Sequence, residues 1–235
     1  MEQIKKTIGI IGGMGPLATV DLYDKIVRRT EAASDGEHIH VLIDSNTAVP
    51  DRTAAILGLG PSPVPELIKS AKRLEVAGAD FLIIPCNTAH YFYDDIRSAT
   101  ALPVLHMLRL TAAEILRRKL AKVALLATDG TVKTGIYARL FEENGISCLL
   151  PQGEAQRAVM DAIYLGVKAG RRDYDTAALN KALRALRDAG AEAFVLGCTE
   201  LPIAFSQYGI DEPAVDPTQI LAEAAIREAG YRVLE

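Results

Sequence analysis

An α/β fold of two similar, pseudo-symmetric domains with mainly parallel sheets is what this 235-residue sequence predicts. Three observations carry the prediction. Apolar runs of strand length alternate with helical patterns along nearly the whole chain, the signature of parallel strands joined by crossover helices. A twelve-residue pattern occurs twice in one register: Ala77-Gly-Ala-Asp-Phe-Leu-Ile-Ile-Pro-Cys86-Asn-Thr88 returns 112 positions later as Ala189-Gly-Ala-Glu-Ala-Phe-Val-Leu-Gly-Cys198-Thr-Glu200. Further out, Lys6-Thr-Ile-Gly-Ile-Ile11 opens the first half much as Lys122-Val-Ala-Leu-Leu126 opens the second.

Strands are expected at Thr7–Ile11, His40–Asp44, Phe81–Pro85, Pro103–His106, Val123–Ala127, Ser147–Leu150 and Ala193–Gly197, where apolar runs end in turn residues. Helical spacing places Leu67, Ile68, Ala71 and Leu74 on one face of Pro65–Ala77. The same spacing aligns Leu179, Leu183 and Leu186 in Thr176–Ala189, and both helices run into the repeated Ala-Gly-Ala turn. Ser45–Pro63, rich in Pro, Gly and polar residues, reads as one long irregular stretch and a candidate active-site loop. The domain boundary is expected near Pro103–Thr111, with the last helix, Thr218–Ala229, returning to the first domain. That gives residues 1–105 plus 209–235 and residues 106–208 as the two domains.

Composition excludes several function classes. A formal charge of −4 offers no basic stripe for nucleic acid. Lys5-Lys6 precedes an apolar stretch that Gly9, Gly12 and Gly13 interrupt too soon for a signal-peptide core, and no window approaches the roughly 20 apolar residues of a membrane span. A cytoplasmic protein with no membrane or nucleic-acid partner is the expectation. Three cysteines at spacings that match neither a zinc site nor a disulfide framework point to free thiols and no metal.

Cys86 and Cys198 stand where an apolar strand gives way to a small polar loop, and in open α/β sheets ligands bind beyond the carboxyl ends of strands. A thiol there faces the N-terminus of the next helix, which should lower its pKa. Facing domains would bring the two thiols to one cleft from opposite sides. Cys148, inside Ile146-Ser-Cys-Leu-Leu150, reads instead as buried packing.

Around the thiols, Asn87-Thr88 and Thr199-Glu200 offer hydrogen bonds to a substrate carboxylate or, equally, helix caps. His90, four residues past Cys86, is read as a packing or surface residue before a base. Glu200 has no partner acid at the matching position of the other copy, where Thr88 stands, so paired-carboxylate chemistry has no support. Gly13-Met-Gly15-Pro-Leu-Ala18 fits a dinucleotide fingerprint only loosely, since Asp44 comes too late and Pro16 is out of place. A close-approach loop whose amides reach a small anion is the plainer reading. Arg52, in the long loop, and Lys168 are cations suited to carboxylates, though each alone reads as solvated surface charge.

Taken together, Gly12-Gly-Met-Gly-Pro16, Pro50-Asp-Arg52, Pro85-Cys-Asn-Thr-Ala-His90, Tyr164 to Lys168 and Gly197-Cys-Thr-Glu-Leu201 resemble the aspartate racemase branch of the aspartate/glutamate racemase superfamily, in order and across nearly the whole chain. The resemblance implies cofactor-independent racemisation of aspartate or glutamate by Cys86 and Cys198, each base in one direction and acid in the other. It also implies substrate carboxylates on Arg52 and Lys168, a site lined by Met14, Asn87, Thr88 and Thr199, and a homodimer. Glutamate racemases of cell-wall synthesis open on Asp-Ser-Gly and carry His after Gly-Cys-Thr; this chain has Gly-Gly-Met-Gly and Glu200. Relatives that replace one cysteine, such as arylmalonate decarboxylases, differ at a position this chain keeps.

Two thiolates in one site repel, so one is expected ionised and its partner protonated, the pair titrating together. A broad-specificity amino-acid racemase, a nicotinamide-dependent oxidoreductase and a non-catalytic amino-acid-binding protein stay open beside this reading.

Overall fold

The computed structural model describes residues 5–234; residues 1–4 and 235, the extreme ends of the expected first domain, lie outside them. Two compact units emerge, one running to Met107 and resuming at Thr218, the other covering Leu108–Pro217.

The first unit opens with β1 (Ile8–Gly12), α1 (Pro16–Arg29) and β2 (Val41–Ser45). It continues through α2 (Arg52–Ile56), α3 (Val64–Val76), β3 (Phe81–Ile83) and α4 (Tyr93–Ser98). Its sheet is parallel in the order β2-β1-β3, with Ile8 in register with both Val41 and Phe81. All of β1 is buried, which explains why it reads as an unbroken apolar run. Pro16, out of place in a nucleotide fingerprint, occupies the first turn of α1, where its missing N–H costs nothing.

The chain crosses to the second unit at α5 (Met107–Arg117) and adds β4 (Lys122–Leu126), α6 (Asp129–Thr134), α7 (Ile136–Glu143) and β5 (Ser147–Leu149). Then come α8 (Glu154–Asp161), α9 (Ala177–Asp188), β6 (Ala193–Leu196), α10 (Glu200–Gln207) and β7 (Ala214–Val215). This sheet is also parallel, in the order β5-β4-β6-β7. Finally α11 (Pro217–Glu228) returns the chain to the first unit, where the main-chain N–H of Lys6 donates to Ala229 O at 3.0 Å.

The sequence repeat is a structural repeat down to single bonds. Ala77, Gly78 and Ala79 donate main-chain hydrogen bonds to Arg73, Glu75 and Leu74; Ala189, Gly190 and Ala191 donate to Ala185, Arg187 and Leu186. Gly78 and Gly190 close the helices at φ +94° and +95°, a left-handed conformation that side chains with a Cβ resist.

Three expectations change. Pro103–His106 is not a strand but a single parallel bridge, Leu82 to Val104, while its counterpart in the second half, Ala214–Val215, is a strand that no apolar run announces. Ser45–Pro63 is not wholly irregular, because Asp51 accepts from Ala54 N at 2.7 Å and caps α2. Cys148 does lie in a strand, but β5 is the sheet edge and leaves it half-buried.

Candidate active site

Each unit assembles its own set of the expected residues at the carboxyl end of its sheet. In the first, β1 runs into Gly13, whose φ of +89° would drive any Cβ to within 2.4 Å of the Asn46 main chain. Thr19 fixes that turn, accepting from Gly13 N at 2.9 Å and donating to Gly15 O at 3.0 Å. The turn thereby delivers Met14 to the same apolar cluster as Val49, Cys86 and Ala89.

Arg52 departs from the solvated charge expected of it. Only 9% exposed, its guanidinium donates to Met14 O at 3.2 Å, Pro50 O at 2.9 Å and Val49 O at 3.3 Å. A planar fork that satisfies three carbonyls ties the glycine-rich turn to the long loop. Arg52, Met14 and Cys86 are thus brought into one construction.

After β3 the chain bends through Cys86, whose N–H donates to Ile84 O at 2.8 Å, and enters a 3₁₀ turn at Thr88–Phe92. Cys86, Asn87 and Thr88 are all buried. Asn87 occupies the cap position of that turn, yet its side chain makes no capping bond.

His90 is neither a surface group nor a base for Cys86. Met107 N donates to its Nε2 at 3.1 Å, so that nitrogen carries no proton, and the protonated Nδ1 donates to Cys86 O at 2.9 Å. Burial, and secondarily His106, push its pKa down to about 3. A neutral imidazole therefore pins the Cys86 main chain to the first residue of α5.

The second unit repeats the arrangement with different polar chemistry. Cys198 follows β6, is buried and packs with Leu201, Phe205 and Tyr164. Thr199, 2% exposed, stands at the cap of α10 without a side-chain capping bond. Lys168 follows directly on a π-helical turn, Ala162–Val167, a rare form that clusters at functional sites. Its Nζ lies 5.5 Å from the centre of the Tyr164 ring and 3.0 Å from Glu200 Oε1.

Glu200 holds a place that the sequence does not announce, between the Cys198 thiol and Lys168. Only 3% exposed, it accepts the Cys198 S–H on Oε2 at 2.9 Å and the Thr199 hydroxyl at 3.5 Å. Across the repeat Glu200 corresponds to Thr88, so it has no paired acid. Its contacts lie instead within its own half, two residues from the thiol.

Glu200 also reverses the expected effect on Cys198. Burial first, then the carboxylate's charge, raise the thiol pKa well above its ordinary value, against the opposing pull of Lys168. The main-chain N–H of Glu200 does favour the thiolate, as a helix N-terminus should, but it is outweighed. Cys198 is thus held as a thiol.

Among the described residues no group of three His, Cys, Asp or Glu side chains could hold a metal ion, and no helix is long and apolar enough to cross a membrane. Each unit presents one buried thiol, one cation and a set of small polar groups. A thiol with an adjacent proton acceptor can take and return a proton.

The profile of the Asp/Glu/Hydantoin racemase family matches residues 11–225. RacX of Bacillus subtilis, a broad specificity amino-acid racemase, is 29% identical over 224 residues, 93% of this chain and 96% of that one. Among solved structures, Picrophilus torridus aspartate racemase shares 32% identity at a TM-score of 0.84, covering 97% of this chain and 96% of its own. Glutamate racemase from Francisella tularensis in complex with D-glutamate, 18% identical with a TM-score of 0.68 over 96% of this chain and 82% of that one, shares the fold.

Proposed function

The chain belongs to the Asp/Glu/Hydantoin racemase family and is an isomerase of that kind, and from that premise we propose that it interconverts L- and D-aspartate without pyridoxal phosphate, Cys86 and Cys198 serving as the two bases. The carrying observation is the thiol pair itself: two buried cysteines at equivalent places of a structural repeat, each beyond a parallel strand. Inversion at carbon needs a proton removed from one face and returned to the other. A repeat that supplies one thiol per unit meets that need when both thiols address one substrate carbon.

On this reading Cys198, whose S–H donates to Glu200, serves as the acid and Cys86 as the base for the first enantiomer bound. As Cys86 removes the α-proton, negative charge grows on the α-carboxylate, and preorganised donors there are worth roughly 3–4 kcal/mol each. Asn87, Thr88 and Thr199 are the side chains assigned to that task, with Met14 lining the apolar wall. Lys168 takes one substrate carboxylate. Arg52 takes the other through the edge of its fork or, by holding Met14 O, shapes the loop that does.

A second reading, a broad-specificity racemase, is favoured by the likeness to RacX. The homodimer of the resemblance is supported by Leu17, Val20 and Tyr23, which stand exposed on α1, and by Ile43, exposed on edge strand β2. Cytoplasmic residence is part of the same proposal.

Single-cysteine variants test the two-base chemistry. In D₂O, Cys86→Ala and Cys198→Ala should each lose racemisation by at least a factor of about 10³. Each should still exchange the α-proton of one enantiomer, and the two variants should choose opposite enantiomers. Full racemisation in either variant contradicts the assignment.

A further inference from the structure

We propose that Glu200 is a resident counter-ion of Lys168 that the substrate carboxylate displaces, and that this exchange readies Cys198 to act as a base. The proposal rests on the racemase reading above. One buried carboxylate serves two partners: Oε1 holds Lys168 Nζ at 3.0 Å, and Oε2 accepts the Cys198 S–H at 2.9 Å. The Lys168 side chain is 26% exposed and that of Glu200 only 5%, so an incoming anion reaches the cation and not its partner.

A substrate carboxylate on Lys168 puts a second negative charge beside Glu200 and takes away its counter-ion. Two carboxylates sharing one ammonium in a buried site cannot both stay ionised at low cost. The nearest proton is on Cys198. Its S–H bond breaks, an O–H bond forms on Glu200 Oε2, and the negative charge passes to sulfur. Before the step there are two carboxylates, one ammonium and a neutral thiol; after it, one carboxylate, one ammonium, a neutral carboxylic acid and a thiolate. Charge and protons balance without a further reactant.

With Glu200 on Lys168, Cys198 keeps its proton. With the substrate carboxylate on Lys168, sulfur is the thiolate in the direction where Cys198 removes the α-proton. In the opposite direction the proton returns from Glu200 Oε2 to sulfur, from which Cys198 delivers it to the substrate carbon. Glu200 acts through Lys168 and Cys198 and is a positioning residue. Its neighbour Thr199, donating to the same oxygen at 3.5 Å, steadies the carboxylate for both partners.

Glu200→Gln tests the exchange, because an amide neither competes for Lys168 nor takes the thiol proton. Succinate is the probe for binding, since it carries two carboxylates and has no amino-acid α-carbon to racemise. The variant should bind succinate at least fivefold more tightly than wild type and show a lower KM for aspartate, while kcat falls at least tenfold. A purely structural loss would raise KM and lower kcat together. Unchanged or weaker succinate binding, or an unchanged kcat, overturns the proposal.

Should the variant fold poorly by circular dichroism, the wild type carries the test through infrared difference spectra on adding succinate. A new protonated-carboxyl band that Cys198→Ala does not give is expected, and its absence overturns the proposal. Tighter succinate binding by Glu200→Gln alongside a wild type that racemises nothing would keep the exchange and remove the racemase reading; racemisation with unchanged succinate binding would do the reverse.

Discussion

His90 makes a quantitative prediction about acid stability. Replace it with Asn, which can still donate to Cys86 O from the Nδ1 position but offers no acceptor to Met107 N and no titration. At neutral pH the variant loses the buried hydrogen bond that Met107 N donates to the ring, a cost of about 1–3 kcal/mol. The wild-type ring has a folded pKa of about 3 against 6.5 when unfolded. A depressed folded value means that the unfolded chain binds the proton first, so the stabilisation is complete above about pH 6.5 and drains away as pH falls toward about 3.

Well inside that window each pH unit costs about 1.4 kcal/mol, and the loss between neutral pH and about pH 4.5 comes to roughly 2.6 kcal/mol. That is a large fraction of a domain's total, typically about 5–15 kcal/mol. Urea unfolding at several pH values, followed by circular dichroism, measures both proteins. The variant should be the less stable at neutral pH, and the two curves should converge and meet near about pH 5. Carboxylates such as Glu114, whose pKa Arg117 and Arg118 hold down at about 2, also lose stability in acid, but equally in both proteins. A constant gap across the whole range would refute the neutral, locked imidazole.

Other expectations follow from single contacts. Arg52→Ala leaves three loop carbonyls without their guanidinium and should destabilise the first unit by about 2–4 kcal/mol as well as raise KM for aspartate; urea midpoints unchanged within error would contradict the tie between Met14 and the long loop. Gly78→Ala and Gly190→Ala meet the same left-handed φ and should each cost about 1 kcal/mol or slightly more. Thermal unfolding showing one of the pair to be silent would count against equivalent caps. Val20→Lys, placed on the exposed apolar stretch of α1, tests the homodimer proposed above: it should sediment as a lighter species than wild type with little change in fold, and an unchanged mass would exclude that face.

The layout of the fold was legible because the repeat is a repeat of physics. An amphipathic helix, a left-handed glycine and a buried strand each leave a mark in residue order, and all three marks recur 112 positions apart. β7 left none, since two residues paired on one side of β6 need no apolar run. The repeat did hold the clue: Leu82 N donates to Pro103 O as Phe194 N donates to Pro213 O, so Pro213-Ala-Val215 stands where Pro103-Val104 does.

Within the site, the thiols were legible from their place after each strand. The roles of their neighbours were not. A helix N-terminus favours a thiolate in isolation, but the sequence gives no measure of how deeply Cys198 is buried or that Glu200 turns back upon it. Arg52 looked like a solvated cation because its loop looked irregular; folded around Met14, that loop makes it a buried tie. Likewise His90 shows one nitrogen's partner nearby in sequence, Cys86, whereas the other, Met107, is seventeen residues away.

Proton NMR of L-aspartate with the reduced wild-type protein in D₂O, with no cofactor added, followed by chiral analysis, tests the central claim most directly. Loss of the α-proton signal accompanied by D-aspartate is the predicted result, and parallel runs with glutamate and neutral amino acids separate a narrow from a broad racemase. An α-proton that persists in every amino acid tried would contradict two-thiol racemisation by Cys86 and Cys198.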